Sequence, residues 1–142
     1  MGIRPIEGST VTDDNELDRI SDSGFYDSGL YSVIDYAVDG TRTQRELIDE
    51  FARIQERWVR FHPGYVSATL FADLAGTRVY NLVQWRSAED FRRFEENSDT
   101  AGRIAAIEAA LAAVSGTAEP RMTAAPRFTV ARKVAPGPRR TD

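Results

Sequence analysis

The stretch NLVQWRSAEDF, Asn81 to Phe91, holds the two side chains of this sequence best placed to do chemistry. Asn81 and Trp85 lie four residues apart in a run whose neighbours Val79, Leu82 and Val83 read as buried strand. That spacing puts both on one strand face, together with Val79 and Val83. An amide and an indole N–H both seek hydrogen-bond partners, and the valines beside them offer none. The residues allow two readings: a core amide satisfied by a neighbouring carbonyl, or a pair of donors directed at a ligand.

Composition narrows the other chemistries. The 142 residues include no cysteine, which excludes disulfides, thiolate metal sites and cysteine nucleophiles. The single histidine, His62, rules out a multi-histidine metal site within one chain, so no metal is expected. His62 stands between a helix end and Pro63, where it is read as a cap for the last helical carbonyls. Arg103 is read as facing solvent. The formal charge of −4 argues against a general nucleic-acid binder. Acidic residues crowd residues 1–30 and basic ones the stretch from Arg121 onward, a pattern read as two solvated ends. Apolar residues at 42% and charged residues at 28% describe a soluble globular chain of one domain. No apolar run reaches the length of a membrane span and the N-terminus lacks a signal-like segment, so no membrane partner and a cytoplasmic location are expected.

The elements that must position Asn81 and Trp85 follow from periodicity. Residues 1–28 have no sustained period and read as a flexible acidic arm. LYSVIDYAV, from Leu30, alternates as a strand and ends at Asp39–Thr41. Thr43 with Glu46 suggests a capping box opening a helix. Leu47, Phe51, Ile54 and Trp58 then repeat at helical spacing until Pro63 and Gly64 stop it. Tyr65–Phe71 and Thr77–Trp85 form a hairpin around the loop Asp73–Gly76. Ser87 with Asp90 starts a second helical region carrying Phe91 and Phe94, with a break at Asn97–Thr100 before Ile104, Ile107, Leu111 and Val114. Gly116–Pro126 reads as loop, Arg127–Val134 as a final strand, and residues 136–142 as a disordered basic tail.

Strand, helix, strand, strand, helix, strand is the ferredoxin-like βαββαβ order, an α+β domain over residues 29–135 with an antiparallel sheet and helices on one face. Both faces of the strands carry apolar groups, so a second copy is expected to cover the open face, giving a homodimer. The side chains expected to line a substrate pocket between helices and sheet are Phe51, Trp58, Tyr65, Phe91 and Phe94.

With this topology, HPGYVSATLFADLAGTRVYNLVQWRSAEDF resembles the antibiotic biosynthesis monooxygenase family of dimeric α/β barrels. The match consists of a Pro-Gly turn, a SAT strand, a Gly-Thr turn and then N-x-x-Q-W-x-S leading into a helix, and the resemblance covers roughly Leu30 to Val134. It implies a small monooxygenase that oxidises an aromatic polyketide, an anthrone-type phenol, in secondary metabolism. Molecular oxygen would be the co-substrate, with neither metal nor organic cofactor. It also implies that Asn81 and Trp85 are catalytic, as donors to a developing oxyanion in a dry pocket.

One position departs from the pattern. A tyrosine often stands six residues after the motif tryptophan, and here it is Phe91, which cannot carry a proton. Tyr36, Tyr65 and Tyr80 are the alternatives for that role. The departure leaves open flavin-assisted oxygenation as a minor variant, and a non-redox polyketide cyclase or small-molecule-binding module of the same fold as the competing function. Haem degraders sharing this fold need a histidine on the helix after the third strand, and residues 87–115 contain none.

Overall fold

A computed structural model describes residues 29–139; the N-terminal arm assigned to residues 1–28 and the last part of the tail lie outside the described residues. Strand β1 (Leu30–Ala37) leads into helix α1 (Thr41–Ile54), which runs on as a π-helical turn, Gln55–Val59. Strands β2 (Tyr65–Ala72) and β3 (Arg78–Trp85) form the hairpin. Helices α2 (Ala88–Asn97) and α3 (Thr100–Ala113) follow, and two short strands, β4 (Arg121–Ala124) and β5 (Arg127–Thr129), close the chain. The sheet order is β2-β3-β1-β4, all antiparallel, with β5 also paired to β1. This is the ferredoxin-like α+β arrangement, with five strands and three α-helices.

Four details differ from the reading of the sequence. First, Thr43 and Glu46 do not form a capping box. The helix begins at Thr41 without a side-chain cap; the Thr43 hydroxyl lies within hydrogen-bonding reach of both Asp39 and the Ser115 carbonyl, while Glu46 accepts from the Ser115 backbone and hydroxyl. Both residues hold the α3–β4 loop against α1 instead. Second, Gly116–Pro126 is not all loop. Residues Arg121–Ala124 pair with β1, and all four are exposed; the segment is four residues long, too short for its alternation to stand out between Pro120 and Pro126.

Third, the last strand covers only Arg127–Thr129. Strands β4 and β5 act as one edge interrupted at Ala125–Pro126, where the Pro126 carbonyl accepts from Val33 N–H at 3.0 Å. Proline has no N–H to give to the ladder, so pairing breaks there. Fourth, the His62 ring caps no helical carbonyl among the described residues. It stacks on Phe61 and meets Phe94 edge-on, and only its backbone N–H reaches the Val59 carbonyl.

The remaining turns follow their residue types. Ser87 caps α2 by accepting from the Asp90 N–H, and Asp99 caps α3 by accepting from the Gly102 N–H. Gly64 lies at φ 86°, so close to Asp90 that a Cβ would fall 2.3 Å from the aspartate Cβ. The interior divides into two clusters. One gathers Tyr36, Leu47, Phe51, Ile54 and Val79; the other gathers Leu30, Val59, Val83, Trp85 and Phe94. The candidate site lies between them.

Candidate active site

Strand β3 presents Val79, Asn81, Val83 and Trp85 inward, all buried, and turns Tyr80 outward. Asn81 is flanked in register by Ile34 on β1 and Leu70 on β2. Neither neighbour can meet an amide, and Asn81 Oδ1 is buried without a hydrogen-bond partner among the described residues. Trp85, only 1% exposed, is held by rings: Tyr65 edge-on at 5.6 Å, Phe94 at 4.8 Å and Phe91 at 5.7 Å between centroids. Asn81 and Trp85 thus share a face, and both line a cavity of about 220 Å³ between sheet and helices. A fully satisfied core amide would leave no such orphan oxygen.

The cavity is lined mostly by apolar and aromatic groups, including Phe51, Phe91 and Phe94. Two expected lining residues are elsewhere. Tyr65 stands against Trp85 from outside the cavity, buttressing it. Trp58 lies over a shallow groove between α1 and α3, with its ring beside Gly102. The π-helical turn explains this: Arg60 N–H bonds to the Gln55 carbonyl five residues back at 2.9 Å. The widened turn rotates Trp58 off the stripe begun by Leu47 and Phe51, and Val59, 4% exposed, takes the inward position.

Of the three tyrosines weighed as proton carriers, only Tyr36 lines the cavity; Tyr80 is on the other sheet face and 43% exposed. Burial pushes the Tyr36 pKa above its ordinary value, so its hydroxyl stays protonated at neutral pH. Arg103 faces the cavity and not simply solvent. Its guanidinium lies 4.4 Å over the Phe94 ring and donates to the Ser98 hydroxyl at 2.8 Å. Burial lowers its pKa while Glu95 and Asp99 pull it back up, and it remains a cation. Arg127, brought in by β5, sits 4.6 Å over Phe91 and pairs with Glu95 at 3.0 Å.

Gln55, Glu95 and Arg127 were not anticipated in the site. For Gln55 a signal existed, since it follows Phe51 by four residues and so shares its helical face. For Arg127 there was none, because its place depends on β5 pairing with β1 at Ser32. Among the described residues, no group of three or more His, Cys, Asp or Glu side chains could hold a metal ion, and no helix is long and apolar enough to cross a membrane.

Comparison with known proteins agrees with this fold. No family model matches the sequence. The tetracenomycin-F1 monooxygenase of Streptomyces glaucescens is 38% identical over 63 residues, 44% of this chain and 56% of that enzyme, so the match spans little more than half of the relative. The monooxygenase ActVA-Orf6 of Streptomyces coelicolor, solved with nanaomycin D, superposes with a TM-score of 0.62 at 28% identity, over 82% of this chain and all of that one. SnoaB of Streptomyces nogalater, described as a cofactor-independent oxygenase, shares the fold with a TM-score of 0.55 at 22% identity, over 78% of this chain and 99% of its own. The homologue and the structural neighbours of this chain are thus monooxygenases of the antibiotic biosynthesis type, built on the same ferredoxin-like α+β fold.

Proposed function

We propose that this protein is a cofactor-independent monooxygenase that oxidises an anthrone-type aromatic polyketide with molecular oxygen. The observation that carries the reading is Asn81 beside the Trp85 indole on the wall of an aromatic-lined cavity, its Oδ1 without a partner among the described residues. The sequence relative and ActVA-Orf6 support it, the first a monooxygenase and the second a monooxygenase binding nanaomycin D.

The chemistry needs little from the protein. The substrate methylene loses a proton to a water molecule at the cavity mouth, giving an enolate, which passes an electron to oxygen. The radical pair combines as a carbon-bound peroxide, which then loses water to leave a carbonyl. The methylene supplies all four electrons that reduce dioxygen, so no external reductant is required. Asn81 and Trp85 direct N–H groups at the enolate oxygen in a site of low dielectric. Tyr36, kept neutral by burial, gives a proton to the peroxide. Phe51, Phe91 and Phe94 hold the ring system and exclude water.

The active form is a homodimer. Phe71 and Tyr80 face each other across β2 and β3 on the sheet face away from the helices, 47% and 43% exposed, and a second sheet would cover them.

Oxygen uptake with an anthrone substrate tests the activity. Trp85→Phe keeps most of the ring but deletes the N–H, and turnover should fall about a hundredfold with KM little changed. Asn81→Ala should behave likewise with its melting temperature checked, since it also leaves a small cavity. Turnover untouched in Trp85→Phe, with Asn81→Ala unfolded, would refute the assignment. Binding of the aromatic without oxygen uptake would instead support the non-redox cyclase or binding module, the reading that Phe91 in place of tyrosine favours.

A further inference from the structure

The mechanism above makes no use of Gln55, yet this side chain faces the same cavity as Asn81. Three buried side-chain polar atoms have no partner among the described residues: Gln55 Oε1, Asn81 Oδ1 and Gln84 Oε1. Two of the three line one cavity, from opposite layers. Asn81 rises from the sheet on β3, and Gln55 descends from the helix layer. Turning either amide over would exchange a free oxygen for a free nitrogen, so each wall keeps an unpartnered polar atom.

An unpartnered buried polar atom is unfavourable, and one carried on a cavity wall can be completed by a ligand. Gln55 also opens the π-helical turn, a rare local geometry that often marks functional sites in helices. With Phe51 one turn before it and Val59 within it, the turn sets Gln55 among apolar neighbours on the cavity wall.

We propose that Gln55 is a positioning residue that binds a hydroxyl on the end of the aromatic ligand remote from Asn81 and Trp85. The substrate class is therefore an arene hydroxylated at both ends, not at one. This rests on reading the cavity as an aromatic-binding site, but not on the oxygenase chemistry. The Gln55 oxygen accepts from the remote hydroxyl, while Asn81 and Trp85 hold the oxygen at the reacting end. Gln55 thus fixes which way round the ligand lies.

Calorimetric titration of the full chain with a naphthalenediol bearing one hydroxyl on each ring, and with naphthol, tests this. The wild type should bind the diol about tenfold more tightly, the worth of one good hydrogen bond. Gln55→Leu should bind both as the wild type binds naphthol. Its melting temperature should hold or rise, since an unpartnered buried amide gives way to an apolar group of similar size. With an anthrone substrate, the same variant should raise KM about tenfold and leave kcat within a few-fold.

Equal binding of diol and naphthol by the wild type, or binding of neither, overturns the proposal. So does a Gln55→Leu variant that keeps the preference, or that merely melts lower with the preference intact. Absence of oxygen uptake would refute the oxygenase reading alone, because the diol preference would survive it.

Discussion

Tyr36 offers a clean test of the chemistry at the scale of single residues. Its hydroxyl makes no hydrogen bond to the described residues, and its ring is held by Phe51 edge-on at 5.0 Å. Tyr36→Phe should therefore leave thermal stability nearly unchanged while lowering kcat about a hundredfold, the low end of what a positioned proton donor contributes. Stopped-flow rates beside melting curves would separate the two effects, and an unchanged rate would move the proton donor elsewhere. Phe91 should behave in the opposite way. It is sandwiched between Trp85 and the Arg127 guanidinium and supplies contact area only. Phe91→Ala should raise KM about tenfold with kcat little altered, because apolar contact is made equally in ground and transition states.

At the scale of elements, the loops that anchor α1 and α2 carry specific costs. Asp39, just after β1, accepts from the Thr43 hydroxyl, from the Thr117 N–H and hydroxyl, and from the Ala118 N–H. The Thr43 bond first and the Thr117 and Ala118 bonds after it lower its pKa from 3.8 to about 2. A folded-state pKa below the unfolded one stabilises the fold above the unfolded value and loses that contribution as pH falls toward the folded value. Thermal unfolding followed from about pH 4 down to about pH 2 should show this loss, and Asp39→Ala should flatten that part of the profile. An identical acid limb in the variant would mean that the loop anchor contributes nothing there. Gly64 meets a harder limit. At φ 86° and pressed on Asp90, it has no room for a side chain. Gly64→Ala should cost about 2 kcal/mol or more in chemical denaturation, combining left-handed strain with displacement of the carboxylate beside the α2 cap.

At the scale of the whole molecule, the sheet face away from the helices is where the proposed dimer would form. Phe71 and Tyr80 are cross-strand partners there, while Asp35 and Arg78, also on that face, pair with each other at 3.0 Å. An exposed aromatic pair beside a satisfied ion pair suits a surface that buries against its own copy around a two-fold axis. Light scattering at micromolar concentration should give twice the chain mass, and Tyr80→Glu should shift it toward monomer by placing a charge in the interface. A monomer mass for the wild type would refute the dimer.

The sequence by itself determined most of the elements and the face of β3. Alternation in LYSVIDYA and RVYNLVQW depends only on the two-residue period of a strand, so the inward set Val79, Asn81, Val83 and Trp85 could be read without a structure. The Ser87–Asp90 helix start and the Asp73–Gly76 turn were legible for the same reason, since both depend on residues a few positions apart. What fell to the tertiary structure were the contacts whose partners are distant in the chain. Thr43 and Glu46 resemble a local cap until Ser115, some seventy residues on, claims both. β4 is only four residues long and wholly exposed, and its place on the sheet rests on backbone pairing with β1. Trp58 and Val59 exchange roles through one widened helical turn, which periodicity assumes away. Arg127 reaches the cavity only because β5 pairs with the start of β1, nearly a hundred residues earlier. Spacing along the chain sets which way a side chain points from its own element, but what it then meets depends on elements that packing brings together.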